Sequence, residues 1–199
     1  AQQTSVLLTE SSKVYNTQIN DLLLTALGTA LCRITSSRVN HIVLEGHGRE
    51  EIDSAIDVAA TAGWFTTKYP VRLEVSDDIG ASIKSIKETL REVPNKGIGY
   101  GALCCYGDEL PKISFNYLGQ LDNEGVQQWS ISSDSGGASI DDSNADRNII
   151  NINGSVIDGK LQFSIVTKLG KGATLELGAR FKQGLEEIIR HTTDLKRSY

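Results

Sequence analysis

The sequence contains no methionine and only three cysteines, three prolines and three histidines in 199 residues. A chain without methionine that starts at Ala1 is expected to be processed or cut from a longer polypeptide. The cysteines are Cys32, inside a helical pattern, and the neighbours Cys104 and Cys105. Adjacent cysteines rarely bridge, the count is odd and no C-x-x-C spacing occurs. A disulfide framework is therefore excluded, and a reducing cytoplasm is the expected setting. No apolar run approaches the roughly 20 residues of a membrane span, so no membrane association is expected. A basic surplus is also missing: 20 Lys and Arg stand against 25 Asp and Glu, a net charge of -5. With its cations scattered, the chain has no means of neutralising a row of phosphates, which excludes nucleic acid as a partner.

What is present fits a globular protein with enough sequence for a real core, either one domain or half of a larger one. Residues 1–14 show no period and read as an extended lead-in. Ile19, Leu22, Leu23, Ala26, Leu27, Ala30 and Leu31 then recur at helical spacing, with Thr17 as the expected cap and an end near Ser36. Ile42, Val43 and Leu44 are too few for a helix and read as a strand buried on both faces. Residues 63–75 form a second strand. Asp77 or Asp78 caps a helix whose buried stripe is Ile79, Ile83, Ile86 and Leu90, closed by Pro94.

The run Gly97-Ile98-Gly99-Tyr100-Gly101 lacks a third glycine at the dinucleotide spacing and a strand leading into it, so residues 98–106 read as a short packed helix or turn. Residues 112–118 form a strand ending at Gly119. Residues 132–148, nearly all Ser, Gly, Asp and Asn, form an exposed loop. Asp158-Gly159 between two alternating runs marks a hairpin, and residues 175–189 carry a C-terminal helix. Together these elements predict an α/β sandwich with a mixed sheet covered by helices on at least one face.

One corner concentrates chemistry. The strand at residues 42–44 delivers Glu45 into Gly46-His47-Gly48-Arg49, where two glycines permit a sharp turn. A carboxylate, an imidazole and a guanidinium are thereby gathered at a strand end, either as a site or as a solvated turn.

Five stretches in order resemble the epimerization domain of non-ribosomal peptide synthetases. They are Tyr15-Asn16-Thr17-Gln18-Ile19-Asn20-Asp21-Leu22-Leu23, Glu45-Gly46-His47-Gly48-Arg49-Glu50, Gly63-Trp64-Phe65-Thr66-Thr67-Lys68-Tyr69-Pro70, Arg91-Glu92-Val93-Pro94-Asn95-Lys96-Gly97-Ile98-Gly99-Tyr100-Gly101 and Phe115-Asn116-Tyr117-Leu118-Gly119-Gln120. Such domains belong to the condensation-domain superfamily, two chloramphenicol-acetyltransferase-like subdomains facing each other across a cleft. The resemblance implies that residues 1–199 are the C-terminal subdomain. The other subdomain carries a His-His motif, and this sequence has no His-His pair.

The implied activity is conversion of an L- to a D-aminoacyl or peptidyl thioester held on the phosphopantetheine arm of a peptidyl carrier protein. The partners implied are that carrier, the N-terminal subdomain and neighbouring synthetase domains; no cofactor of its own is implied. Carried over by position, Glu45 is the acid/base of this half, a role that calls for burial in a narrow site. Arg49 is expected to organise the corner rather than pair with Glu45, and His47 to support it structurally, with Gly46 and Gly48 shaping the turn. Tyr117 is the expected hydroxyl donor near the thioester, and Asn116 either shares the site or has a structural hydrogen-bonding role, since neighbours on a regular strand face opposite ways. The family has Ser-Arg-Thr-Val where this chain has Ala59-Ala60-Thr61-Ala62, so one arginine contact is missing. Condensation-type acyl transfer and a non-catalytic carrier-binding half are the alternatives. The isolated half is expected to be inactive.

Overall fold

The computed structural model describes residues 1–50, 53–104, 110–121, 137, 141 and 143–197. The chain opens with helical turns, α1 (Gln2–Ser5), a π-helical stretch Val6–Ser11, and α2 (Ser12–Tyr15). The elements that follow are α3 (Ile19–Thr35), β1 (Val39–Gly46), β2 (Thr67–Glu74), α4 (Ile79–Glu92), α5 (Tyr100–Cys104), β3 (Ile113–Gln120), β4 (Ile150–Ile157), β5 (Lys160–Thr167) and α6 (Lys171–Arg197).

The five strands form one sheet in the order β2-β1-β3-β4-β5. The outer pairs β1/β2 and β4/β5 are antiparallel, and the inner pairs β1/β3 and β3/β4 are parallel. Parallel neighbours need long connections, and residues 47–112 and 121–149 supply them. The β4/β5 hairpin turns through Asp158 and Gly159, both at positive φ (50° and 64°), as the Asp-Gly signal predicts. The α/β architecture with a mixed sheet is thus as expected.

Alternation along the strands determines which face meets the helices. Thr67, Tyr69, Val71 and Leu73 of β2 are buried, and Ile150, Ile152 and Val156 of β4 sit likewise in the core. Against them lies α3, whose Leu22, Leu23, Leu24, Ala26, Leu27, Ala30 and Leu31 are all buried because α4 and α6 flank it on the outside. Ile42, Val43 and Leu44 are each at most 4% exposed, which bears out a strand buried on both faces. Phe115, Phe163 and Phe181 tie β3, β5 and α6 together, with ring centroids 6.1 Å and 4.8 Å apart. Such pairs add about 0.5–1.5 kcal/mol each beyond their buried area.

Several expectations need correction. The lead-in is helical rather than extended. Leu7 and Ser11, one turn apart, are buried against α6, and Ser11 Oγ accepts a 2.8 Å bond from Thr192 Oγ1. A serine at an inward position breaks the apolar period, so the helix left no signature in the pattern. Gln18, not Thr17, caps α3: its side chain and Asp21 form a reciprocal capping box, with Gln18 N donating to Asp21 Oδ2 at 2.8 Å. Residues 63–66 are not part of β2. The short helix α5 is packed only at its start, where Tyr100 lies against the core, while Ala102, Leu103 and Cys104 are exposed, Leu103 to 85%. The strand β3 does not end at Gly119 but shifts register between Tyr117 and Gln120, with Gly119 at φ 85°. Most of the 132–148 loop lies outside the described residues; Gly137, Asp141 and residues 143–147 are exposed.

Candidate functional site

Glu45 is placed by register. It lies directly opposite Lys68 of β2, and Ser114 of β3 is paired with Val43 on the same face of the sheet. Two neighbouring strands therefore hold one carboxylate oxygen. Lys68 Nζ is 3.1 Å from Glu45 Oε1, and Ser114 Oγ donates to the same atom at 3.3 Å. The Glu45 side chain is 19% exposed and Lys68 47%, so the pair is partly shielded from water.

Beyond Gly46 the chain leaves the sheet. Gly48 adopts φ +68°, and a Cβ there would fall 1.6 Å from the carbonyl oxygen of Phe65. Only glycine permits the two backbones to lie so close. His47 Nδ1 accepts from the Arg49 backbone N–H at 2.9 Å, while Nε2 is 3.1 Å from Glu50 Oε1. Glu50 in turn holds Lys96 Nζ at 2.7 Å. The imidazole thus braces the turn.

Arg49 makes none of its bonds to Glu45. Its guanidinium donates to the carbonyls of Val58, Thr61 (2.9 Å) and Gly63 (3.3 Å) and lies 4.3 Å from the centroid of the Phe65 ring. One cation therefore gathers the loop that leads back to β2. Because its targets are main-chain oxygens, the alanines at positions 59, 60 and 62 do not disturb them.

Glu45, His47, Arg49, Trp64, Phe65, Asn116 and Tyr117 line one concavity of about 500 Å³, together with Asn20 from α3. Parity puts Asn116 on the Glu45 face, two residues on from Ser114, and Tyr117 on the helix face with Phe115. Both reach the concavity because it wraps round the ends of β1 and β3, where the Gly119 bulge loosens the strand. Tyr117 packs against the core, and burial pushes its phenol above the usual tyrosine range, so it stays a hydrogen-bond donor at neutral pH. Trp64 is 90% exposed at the rim.

Lys68, Ser114, Lys96 and Asn20 were not among the residues expected in the site. Strand register determines the first two and tertiary packing the others, and neither is written in composition or spacing. No group of three or more His, Cys, Asp or Glu among the described residues is arranged to hold a metal. Another groove, of about 330 Å³, is mostly apolar, with Leu7, Leu161, Phe163, Phe181 and Leu185 on its lining beside Gln3, Thr4, Lys182 and Glu186.

Helices on one face of a mixed sheet and a polar corner at the ends of two parallel strands define a chloramphenicol-acetyltransferase-like α/β domain. The family model for the condensation domain matches residues 1–199, and the chain belongs to that family. It is 41% identical over 206 residues to N-(5-amino-5-carboxypentanoyl)-L-cysteinyl-D-valine synthase of Amycolatopsis lactamdurans, all of this chain but 6% of that protein. The chain therefore spans a small fraction of the multidomain synthetase it resembles.

Among solved structures it is similar to the epimerization domain from the third module of tyrocidine synthetase B, at 35% identity and a TM-score of 0.86, covering 96% of this chain and 46% of that one. The first condensation domain of the CDA synthetase has the same fold at 17% identity and a TM-score of 0.65, over 94% of this chain and 43% of that one.

Proposed function

We propose that this chain is the C-terminal subdomain of an epimerization domain in a non-ribosomal peptide synthetase and supplies one wall of its active site. The substrate is an L-aminoacyl or peptidyl thioester on the phosphopantetheine arm of a carrier protein. A thioester acidifies the adjacent Cα–H, so a positioned carboxylate can take the proton without a cofactor on this chain. The electron pair is left as an enolate, and proton return from the opposite side inverts the centre. Glu45 is the acid/base of this wall, and Tyr117 and Asn116 are the donors that address the thioester oxygen. The opposing acid/base belongs to the N-terminal subdomain.

The observation that carries the reading is the held carboxylate of Glu45 opening on a concavity shared with Asn116 and Tyr117. Peptide-bond formation calls for no second acid/base on this wall. The test supplies an L-aminoacyl carrier protein to the intact two-subdomain enzyme in deuterated buffer. Glu45→Gln is expected to cut Cα deuterium incorporation by about 10²-fold or more, the usual size of a general acid/base contribution. Incorporation at the parent rate would overturn the assignment, and amide formation in place of exchange would identify a condensation reaction.

A further inference from the structure

The bonds to Glu45 are distributed unevenly. Both are made to Oε1, by Lys68 from one neighbouring strand and Ser114 from the other. Among the described residues, Oε2 makes no hydrogen bond or ion pair. A carboxylate held by one oxygen from both sides cannot turn freely about its last bond, and its second oxygen is left in a fixed direction. We propose that Lys68 is a positioning residue of this enzyme: with Ser114 it locks Glu45 by Oε1, so that Oε2 is the atom that exchanges the Cα proton. This rests on the reading of Glu45 as the acid/base.

The geometry comes from the sheet itself. Glu45 and Lys68 are a directly opposed pair in the antiparallel β1/β2 ladder, and such pairs hold their side chains within reach without a flexible loop. Charge-assisted bonds are the stronger kind and give directionality as well as energy. In the step itself the C–H bond breaks, its electron pair stays with the substrate as the enolate, and the proton passes to Oε2. Lys68 gains and loses no proton; its ammonium keeps the pre-organised oxygen in place through both states. Placement is worth rate because a misplacement of about 1 Å can cost about 10²-fold.

The test uses the intact two-subdomain enzyme, an L-aminoacyl carrier and Cα deuterium incorporation measured at varied carrier concentration. Lys68→Met is expected to lower kcat by about tenfold with KM within about twofold, because the interaction acts on the reacting carboxylate rather than on substrate binding. Lys68→Arg, which restores a cation, is expected to recover most of that loss. Arg72→Met removes a cation from the same strand and face, paired with Glu74 away from the corner, and is expected to leave the rate unchanged.

Glu45→Gln separates the two levels. If it leaves exchange intact, the acid/base reading itself fails. If it abolishes exchange while Lys68→Met keeps the parent kcat, or changes KM alone, the positioning role fails and the reading of Glu45 survives. Should Lys68→Met not fold, Ser114→Ala probes the same anchor from the other strand, and an unchanged kcat there overturns the proposal.

Discussion

Replacing Gly48 by alanine perturbs the corner at its tightest point. An L-residue at φ +68° costs about 1 kcal/mol for the left-handed conformation alone. The new Cβ would also meet the Phe65 carbonyl oxygen at 1.6 Å and its carbon at 2.6 Å, whereas real Cβ contacts stay above 3.0 Å. The neighbour is backbone, so no side chain can move aside, and the two segments must part by about 1.4 Å. The adjoining loop carries the carbonyls of Val58, Thr61 and Gly63 that Arg49 gathers, and they cannot all keep their bonds through such a shift. A hydrogen bond to a charged group contributes about 1.5–3 kcal/mol.

Gly48→Ala is therefore expected to cost roughly 2.5–4 kcal/mol, the conformational cost plus one such bond. On the proposed function it is also expected to slow Cα exchange in the intact two-subdomain protein by about 10²-fold, since the displaced segment borders Glu45. Gly159→Ala is the control. It has nearly the same φ, +64°, with nothing within 4 Å of the added atom, in a turn of the β4/β5 hairpin. It should cost only about 1 kcal/mol and leave exchange unchanged. Urea unfolding and deuterium incorporation on both variants decide the matter. Equal destabilisation by the two substitutions, or normal exchange in Gly48→Ala, would refute the steric argument.

Two further outcomes are expected. Asp78→Ala should destabilise the chain by about 1 kcal/mol, because Asp78 Oδ1 caps α4 by accepting from Ala81 N at 2.8 Å; Asp77→Ala loses only an exposed ion pair with Arg38 and should cost less than about 1 kcal/mol, so thermal melts that rank the two the other way would contradict the capping assignment. Burial pushes the Asp21 carboxyl up, outweighing the Gln18 N–H bond and the Arg91 and Lys87 charges, so the folded chain binds more protons than the unfolded one above the ordinary value of about 3.9 and stability is lost as pH rises through the raised value; urea melts at pH 4 and pH 6.5 should show Asp21→Asn gaining on the parent as pH rises, and a gain in the other direction would refute the sign.

The candidate site was partly legible in the sequence. Glu45 could be singled out because a short apolar strand ends on it and two glycines follow, and the hairpin could be placed from Asp158-Gly159 alone. Asp78 was one of two carboxylates at a helix start, and a single hydrogen bond separated it from Asp77. The partners of Glu45 could not be read, because Lys68 and Ser114 lie 23 and 69 residues away and meet it only through strand register. Arg49 could be read as an organiser of the corner that does not pair with Glu45, but not which groups it would hold. That it grips three carbonyls depends on how residues 58–63 return to the sheet.

The sequence by itself determined the elements whose signals are local: the α3 and α4 stripes, the buried run of β1, the hairpin turn and the absence of a long apolar helix. Each follows from period, propensity or turn chemistry within about a dozen residues. Tertiary structure alone decided the sheet order, the helical state of residues 2–15 under α6, and the assembly of one concavity from α3, β1, β3 and the loop before β2. These depend on contacts between distant segments, whose free energy is gained only when the layers pack, and no single stretch of the chain carries them.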